Sequence, residues 1–373
     1  MAKKPKFKRY NERQIWFYSK RAFWILFAWV LISNVLFFYE FFTLKSNGGL
    51  TSAFDFESSF TANMIVAVLA GLIGGIFTVN LMERWLRKHA FWKALLYITI
   101  AYITTAILIS FIGMLYFKSD ALGLPFYDPE VLQAVGYFFT TWLFLKNFIL
   151  WLLIVIVTLI VLMVNDKYGP GVFPDYLMGR YFMPKNERRI FMFADIKDAT
   201  TIAEELGEEK YFNFLKDFFR DIAPAIVQTR AEVYQYVGDE VVLSWKMKHG
   251  LKHGNALQCF YSMKRLIAYK SPKYIKKYGV APVFKAGYHY GNVMVGEIGQ
   301  IKRDIAFSGD VLNTTSRIQS LCNELGVEIL ASKEFGDLSY KLPKRVVKHP
   351  VGKEKLKGKA EEMELVTYTR NQA

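Results

Sequence analysis

The stretch VYQYVGDEVVLSW (233–245) reads as two strands folded back on each other. Both arms are rich in β-branched and aromatic residues, and Gly238-Asp239 sits where the chain must reverse. A tight hairpin needs its glycine but not two adjacent carboxylates beside an apolar sheet. A second acid stands upstream. Asp195 closes the strand RRIFMFADI (188–196) after the apolar run 190–194, so it lies at the carboxyl end of a buried strand. If the two strands are neighbours, Asp195 and Asp239 converge at one sheet edge, while Glu240 is read as a bystander.

Outward from these strands the pattern alternates. An amphipathic helical stretch covers about 199–229 and restarts at Glu208, and a helix follows the hairpin at about 251–270. Strands VFKAGYHY (283–290) and NVMVGEIG (292–299), a helix over about 311–325, the strand VEILAS (327–332) and a terminal pair near 345–368 complete the half. Helices alternating with partly antiparallel strands predict an α+β fold of the split βαβ, ferredoxin-like type.

The rest of the chain is different. Of 373 residues 53% are hydrophobic and the mean hydropathy is +0.15, too apolar for a soluble protein and too charged for one embedded throughout. The change falls near residue 165. Four apolar runs, at about 22–42, 62–82, 94–117 and 137–164, reach the roughly 20 residues a helix needs to cross a bilayer. The first is longer than a signal-peptide core and no small-residue cleavage site follows it. The expected organisation is a basic N-terminus (1–21), an all-α four-helix transmembrane bundle (22–164), a Pro- and Gly-rich linker (165–186) and the α+β domain (187–370).

Charge gives the topology. Lys and Arg crowd the N-terminus and the second loop (Arg84, Arg87, Lys88), whereas the first and third loops carry Asp55, Glu57, Asp120, Asp128 and Glu130. The positive-inside rule therefore places both ends in the cytoplasm of a multi-pass protein of the inner membrane, in contact with lipid. The net charge of +15 is in part this membrane signature, so no nucleic-acid partner is inferred from it. Cys259 and Cys322 are too few for a disulfide framework and suit a reducing compartment. Gly71 and Gly75 have the spacing of a close helix–helix contact, or of glycine merely tolerated in a membrane helix.

Taken singly, Asp195 reads as a helix cap and Asp239 as a turn residue. Together they would bind Mg²⁺ or Mn²⁺, which prefer oxygen ligands. In KRDIAFSGDVLNTTSRIQ (302–319) a Ser-Gly-Asp punctuation opens a helix on which Asn313 and Arg317 share a face at i and i+4. A guanidinium that never deprotonates, beside a neutral hydrogen-bonding amide, suits developing phosphoryl charge.

FADIKDAT, VGDE, FKAGYHYG and GDVLNTTSRIQ occur in this order with spacings that resemble a class III nucleotide cyclase catalytic domain over about 187–370, in wording similar to membrane-anchored bacterial adenylate cyclases. The resemblance implies an enzyme that turns ATP into 3′,5′-cyclic AMP and pyrophosphate with two Mg²⁺ or Mn²⁺ ions per site. It implies that Asp195, Asp239 and the carbonyl of Ile196 hold the metal, that Asn313 and Arg317 act on ribose and transition state, and that Lys357 of KLKGKAEE holds terminal phosphates. It also implies a homodimer with active sites at the subunit interface, each taking metal carboxylates from one chain and the Asn/Arg pair from the other.

The positions that would read the base depart from the family. Adenylate cyclases usually carry Lys, and Asp, Thr or Ser, where this chain has Gln235 and Ala306; guanylate cyclases usually carry Glu and Cys. A glutamine amide can meet both N1 and the 6-amino group of adenine. Flipped, it suits guanine. Guanylate cyclase and a catalytically lapsed membrane receptor or scaffold therefore stand as alternatives. A GGDEF-type diguanylate cyclase fits less well, because a single glycine precedes Asp239 and the Asn/Arg helix is foreign to it.

Overall fold

The computed structural model describes residues 8–50, 54–84, 91–168, 178–301, 303–338, 342–359 and 361–371. Arg87, Lys88 and most of the expected linker, with Pro170 and Pro174, lie outside the described residues. Two compact units are present, residues 11–167 and residues from 168 to the C-terminal end, and each is described by itself.

The first unit holds helices α1 (Lys8–Ser46), α2 (Phe56–Arg84), α3 (Phe91–Leu122), α4 (Pro129–Phe139) and α5 (Trp142–Tyr168). Among the described residues four segments are long and apolar enough to cross a membrane: Tyr18–Ser46, Ser59–Val79, Leu96–Leu122 and Trp142–Asn165. The fourth starts at Trp142 rather than 137, because a separate short helix precedes it. Asp128 caps α4, accepting from the Glu130 N–H at 2.9 Å, and Pro129 opens it. The glycine spacing on α2 reflects close approach rather than tolerance. A Cβ at Gly71 would lie 3.1 Å from the Leu26 Cα, and one at Gly75 would lie 2.9 Å from the Ala22 carbonyl oxygen. Polar side chains join the spans: Lys146 to Glu40 (2.7 Å), the Trp29 indole to Thr158 (3.0 Å), and Ser33 to Asn63 (2.8 Å).

The second unit begins its sheet with β1 (Lys185–Ile196), followed by α6 (Ala199–Leu206) and α7 (Glu208–Gln228) on either side of Gly207. The hairpin is β2 (Glu232–Val237) and β3 (Glu240–Lys246). A short α8 (Met247–Leu251) leads to α9 (Asn255–Tyr278), then β4 (Phe284–Ile298) and β5 (Asp304–Ser308). Next come α10 (Asp310–Glu324), β6 (Ile329–Ser332), α11 (Lys333–Leu338), β7 (Val346–Lys355) and β8 (Glu362–Arg370). The order β2-β3-β1-β4 is that of a βαββαβ core, with β6, β8 and β7 extending it beyond β4, while β5 pairs with β4 off this path.

Period-two alternation sorts β1 between two layers. Ile190, Met192, Ala194 and Ile196 join Phe214, Phe218, Phe260 and Tyr274 of α7 and α9 in the main core. Phe191 and Phe193 face the other way, into a cluster with Tyr181, Val242, Val295 and Val311. The helix α9 runs eight residues past its expected end through Pro272, because Tyr274 and Tyr278 continue its buried face. One strand stands where two were expected at 283–299. Gly291 does not break it; the glycine makes room for α10, since a Cβ there would sit 3.2 Å from the Val311 Cβ. The strand β5 was not foreseen.

Gly287 is where α10 rests on the sheet. A Cβ there would lie 2.5 Å from the Gln319 backbone nitrogen, so Gly287→Ala must push the helix away. Overpacking of this kind costs about 1–3 kcal/mol, which thermal unfolding of the full-length chain will register as a lowered midpoint. On the same strand His289 bonds Ser332 at 2.8 Å, with Glu334 at 3.8 Å, and burial drives its imidazole down to about 4. An unfolded chain titrates near 6.5, so between the two values only the unfolded state takes the proton and stability falls as pH drops through that window. His289→Gln is expected to remove up to about 3 kcal/mol of this loss, read as denaturant midpoints from pH 7 to 4.

Candidate active site

Antiparallel pairing of β1 with β3 lays the end of one strand beside the start of the other, so Asp195 stands opposite Glu240. Gly238, with φ +60°, makes the reversal that swings Asp239 over the end of β1. The Asp239 carboxyl comes close enough to Asp195 and to the Ile196 backbone for both to act on its ionisation. Asp195, Ile196 and Asp239 are thus brought together, as expected. Burial, then the bond to and charge of Asp195, push Asp239 up to about 7. Glu240 also rises to about 7, through burial and the charges of Asp195 and Asp239, with Lys285 opposing. Glu240 therefore feels the charge of both aspartates. Tyr211, near the start of α7, is raised to about 12 by burial and then by Asp239 and Asp195.

Half-buried acids held close together favour a cation between them. Two carboxylates and a backbone carbonyl are hard oxygen donors, which fit Mg²⁺ or Mn²⁺. Among the described residues no three or more His, Cys, Asp or Glu form a metal-holding group, so phosphate oxygens or water would complete the shell. Two further residues reach Asp195 that the sequence reading missed. Lys285 stands across from it on β4 with Nζ 3.5 Å from Oδ2, and Gln319 of α10 donates to Oδ2 at 3.1 Å. Pairing the FKAGYHYG strand with β1 would have found Lys285; nothing local marks Gln319.

The second set of residues gathers on a different face of α10. Asn313 is exposed and Arg317 half-buried. The turn after β7 lies against Arg317: Gly358 has φ +71°, and a Cβ on it would sit 3.3 Å from Arg317 Nη2. Buried Leu356 anchors this turn, Lys357 is exposed, and Lys359 forms an ion pair with Asp310. That pair, ahead of the bond from Thr314, holds the Asp310 carboxyl below its usual range. At 100° per residue Gln319 lies about 200° around the helix from Arg317 and about 240° from Asn313. Because Gln319 faces Asp195, Asn313 and Arg317 face away from it. One chain does not bring the two sets into a common cleft.

Gln235 is exposed on β2, just after a bulge between Val233 and Gln235 that leaves Tyr234 as the extra residue. Ala306 is half-buried on β5, opposite Gly296. Their neighbours join the strands, since the Tyr234 and Phe307 rings stack at 4.7 Å and 21°.

The family model described as "Adenylate and Guanylate cyclase catalytic domain" matches residues 183–370, half of the chain. The chain is 30% identical over 211 residues to Adenylate cyclase 2 of Rhizobium meliloti (strain 1021), a match covering 56% of this chain and 57% of that protein. It is 27% identical over 180 residues to Adenylate cyclase 1 of the same organism, covering 47% and 26%. The crystal structure of the adenylyl cyclase CyaB from P. aeruginosa is similar with a TM-score of 0.45 and 17% identity, over 51% of this chain and 98% of that one. The chain thus spans between a quarter and three fifths of the length of these two curated relatives. With the order of its strands, its paired acids and this match, the chain belongs to the adenylate and guanylate cyclase family, the class III nucleotidyl cyclases.

Proposed function

We propose that this protein is a membrane-anchored adenylate cyclase that converts ATP into 3′,5′-cyclic AMP and pyrophosphate, working as a homodimer. The observation that carries the reading is the division of α10. One face serves the acid pair through Gln319 and the other presents Asn313 and Arg317 beside the Lys357 turn. A second copy turned about a two-fold axis would offer its Asn/Arg face to the first copy's acids, giving two equivalent sites.

In such a site the ribose 3′-oxygen attacks the α-phosphorus, the bond to the β-phosphate oxygen breaks, and pyrophosphate leaves with the electron pair. Asp195, Asp239 and the Ile196 carbonyl would hold the divalent ions. When bound, two Mg²⁺ or Mn²⁺ ions would ease loss of the 3′-hydroxyl proton to water and offset the charge of the departing phosphates. Asn313 orients the ribose by hydrogen bonding. Arg317 keeps its charge at every working pH and stabilises the negative charge that builds around the α-phosphorus. Lys357, exposed at the tip of its turn, takes the terminal phosphates. Gln235 donates to adenine N1 and accepts from the 6-amino group, so Ala306 costs the site little.

The relatives described as adenylate cyclases support ATP as the substrate. Gln235 with its amide reversed would read guanine instead, which makes guanylate cyclase the second reading. The charge pattern of the loops supports a cytoplasmic catalytic domain on an inner-membrane anchor in contact with lipid, and nothing in it calls for nucleic acid.

Purified full-length protein with Mn²⁺ will be given ATP or GTP separately and the products separated by chromatography. The expected result is cyclic AMP from the wild type and background levels from Asp239→Ala. Cyclic GMP in its place would transfer the protein to the second reading. No cyclic product from either nucleotide would sink both.

A further inference from the structure

The sheet face that carries Asp195 at one end of β1 carries a buried cation at the other. Arg189 is 0% exposed. Its Nε donates to Glu187 at 2.7 Å, and its Nη1 donates to Glu232 at 2.6 Å and to Ser244 at 2.8 Å, so its bonds reach β1, β2 and β3. The guanidinium lies over the Phe307 ring, 4.8 Å from its centroid. Phe307 in turn stacks on Tyr234, meets Phe191 edge-on at 5.7 Å, and donates its backbone N–H to the Tyr234 hydroxyl at 3.4 Å.

A buried guanidinium is costly, and an apolar side chain of similar volume would usually fill such a place at least as well. What the guanidinium adds is direction. Its planar fork, set by two carboxylates and a hydroxyl, fixes the plane on which an aromatic ring can lie. That matters for β5, whose ladder partner among the described residues is β4 alone. Its distance from β2 is therefore governed by side chains, chiefly the Arg189–Phe307–Tyr234 stack. Ala306 immediately precedes Phe307, and Gln235 immediately follows Tyr234. An alanine at 306 offers a base no polar side-chain atom, so this strand contributes only its backbone and a methyl group. Such a contribution works only if the backbone is held at a fixed distance.

We propose that Arg189, acting through the Phe307–Tyr234 stack, is the positioning residue that sets the spacing of Gln235 and Ala306 and thereby the purine selectivity of the site. This rests on the nucleotide-cyclase reading above. Arg189 stands six residues before Asp195 on β1, so the stack can be altered without touching an acid, although Gln235 itself lies level with Phe193 in the ladder.

The test uses the full-length enzyme with ATP and with GTP, comparing wild type with Phe307→Leu, Arg189→Met and Arg189→Lys. The expected result for Phe307→Leu and Arg189→Met is an ATP KM about ten-fold higher, with kcat within about three-fold, and a fall of about ten-fold in the ATP:GTP ratio of kcat/KM. The Mn²⁺ concentration for half-maximal activity stays where it was. Arg189→Lys keeps the charge without the fork and is expected to resemble Arg189→Met. Variants with wild-type near-ultraviolet circular dichroism and an unmoved KM and ratio would overturn the proposal, as would a fall confined to kcat. If the Arg189 variants do not fold, Phe307→Leu, at a half-buried position, decides. A wild type that makes cyclic nucleotide beside unaffected variants removes the positioning role alone; a wild type that makes none removes the cyclase reading and this inference with it.

Discussion

The antiparallel ladder between β1 and β3 is the constraint from which the rest of the catalytic unit follows. It runs from Arg189 opposite Lys246 to Asp195 opposite Glu240, and its last step delivers the hairpin tip to the end of the central strand. A slip of one residue would turn Asp195 into the helical core and Ile196 outward. The apolar alternation 190–196 forbids that, because Ile190, Met192, Ala194 and Ile196 are all buried among α7 and α9. The same register that fills the core therefore assembles the acids, and stability and charge placement are one requirement.

The acids sit in a setting that opposes their ionisation. Asp239 and Glu240 are both raised by burial and by their neighbours, with Lys285 only partly offsetting the repulsion. A cation would relieve that repulsion. The helix α10 supplies the other half of the logic. It is set down on Gly287 with no space to spare, reaches Asp195 through Gln319, and turns Asn313 and Arg317 outward. A helix whose Gln319 and Asn313/Arg317 point in different directions suits a site shared between two copies, which is the reason a dimer is proposed.

Much of this was legible in the residues, and the gaps have physical causes. The hairpin, the terminal acid of β1 and the break at Gly207 are local features, carried by alternation, by a left-handed glycine and by helix restart. The strand β5 is hard to read because DIAFS is five residues long, begins on a charge and runs straight into the Ser-Gly-Asp punctuation. The continuity of β4 through Gly291 depends on how closely Val311 approaches, which no local pattern records. Gln319 meets Asp195 across 124 residues of sequence, and the burial of Arg189 depends on Glu232 and Phe307, which lie 43 and 118 positions further along the chain. In the membrane unit the apolar runs were plain, whereas the fourth was started at 137, inside the end of α4, because the apolar pattern continues across the break at Thr140.

The central claim is that each active site draws its acids from one chain and its guanidinium from another. Co-expression of Asp239→Ala with Arg317→Ala in one membrane tests it most directly. Each variant alone should be inactive, while the mixture should regain about a quarter of wild-type activity, since half of randomly paired dimers would be mixed and each would hold one intact site. Cyclase activity that stays at background in the mixture, with mixed dimers verified by differential tagging, would contradict the account.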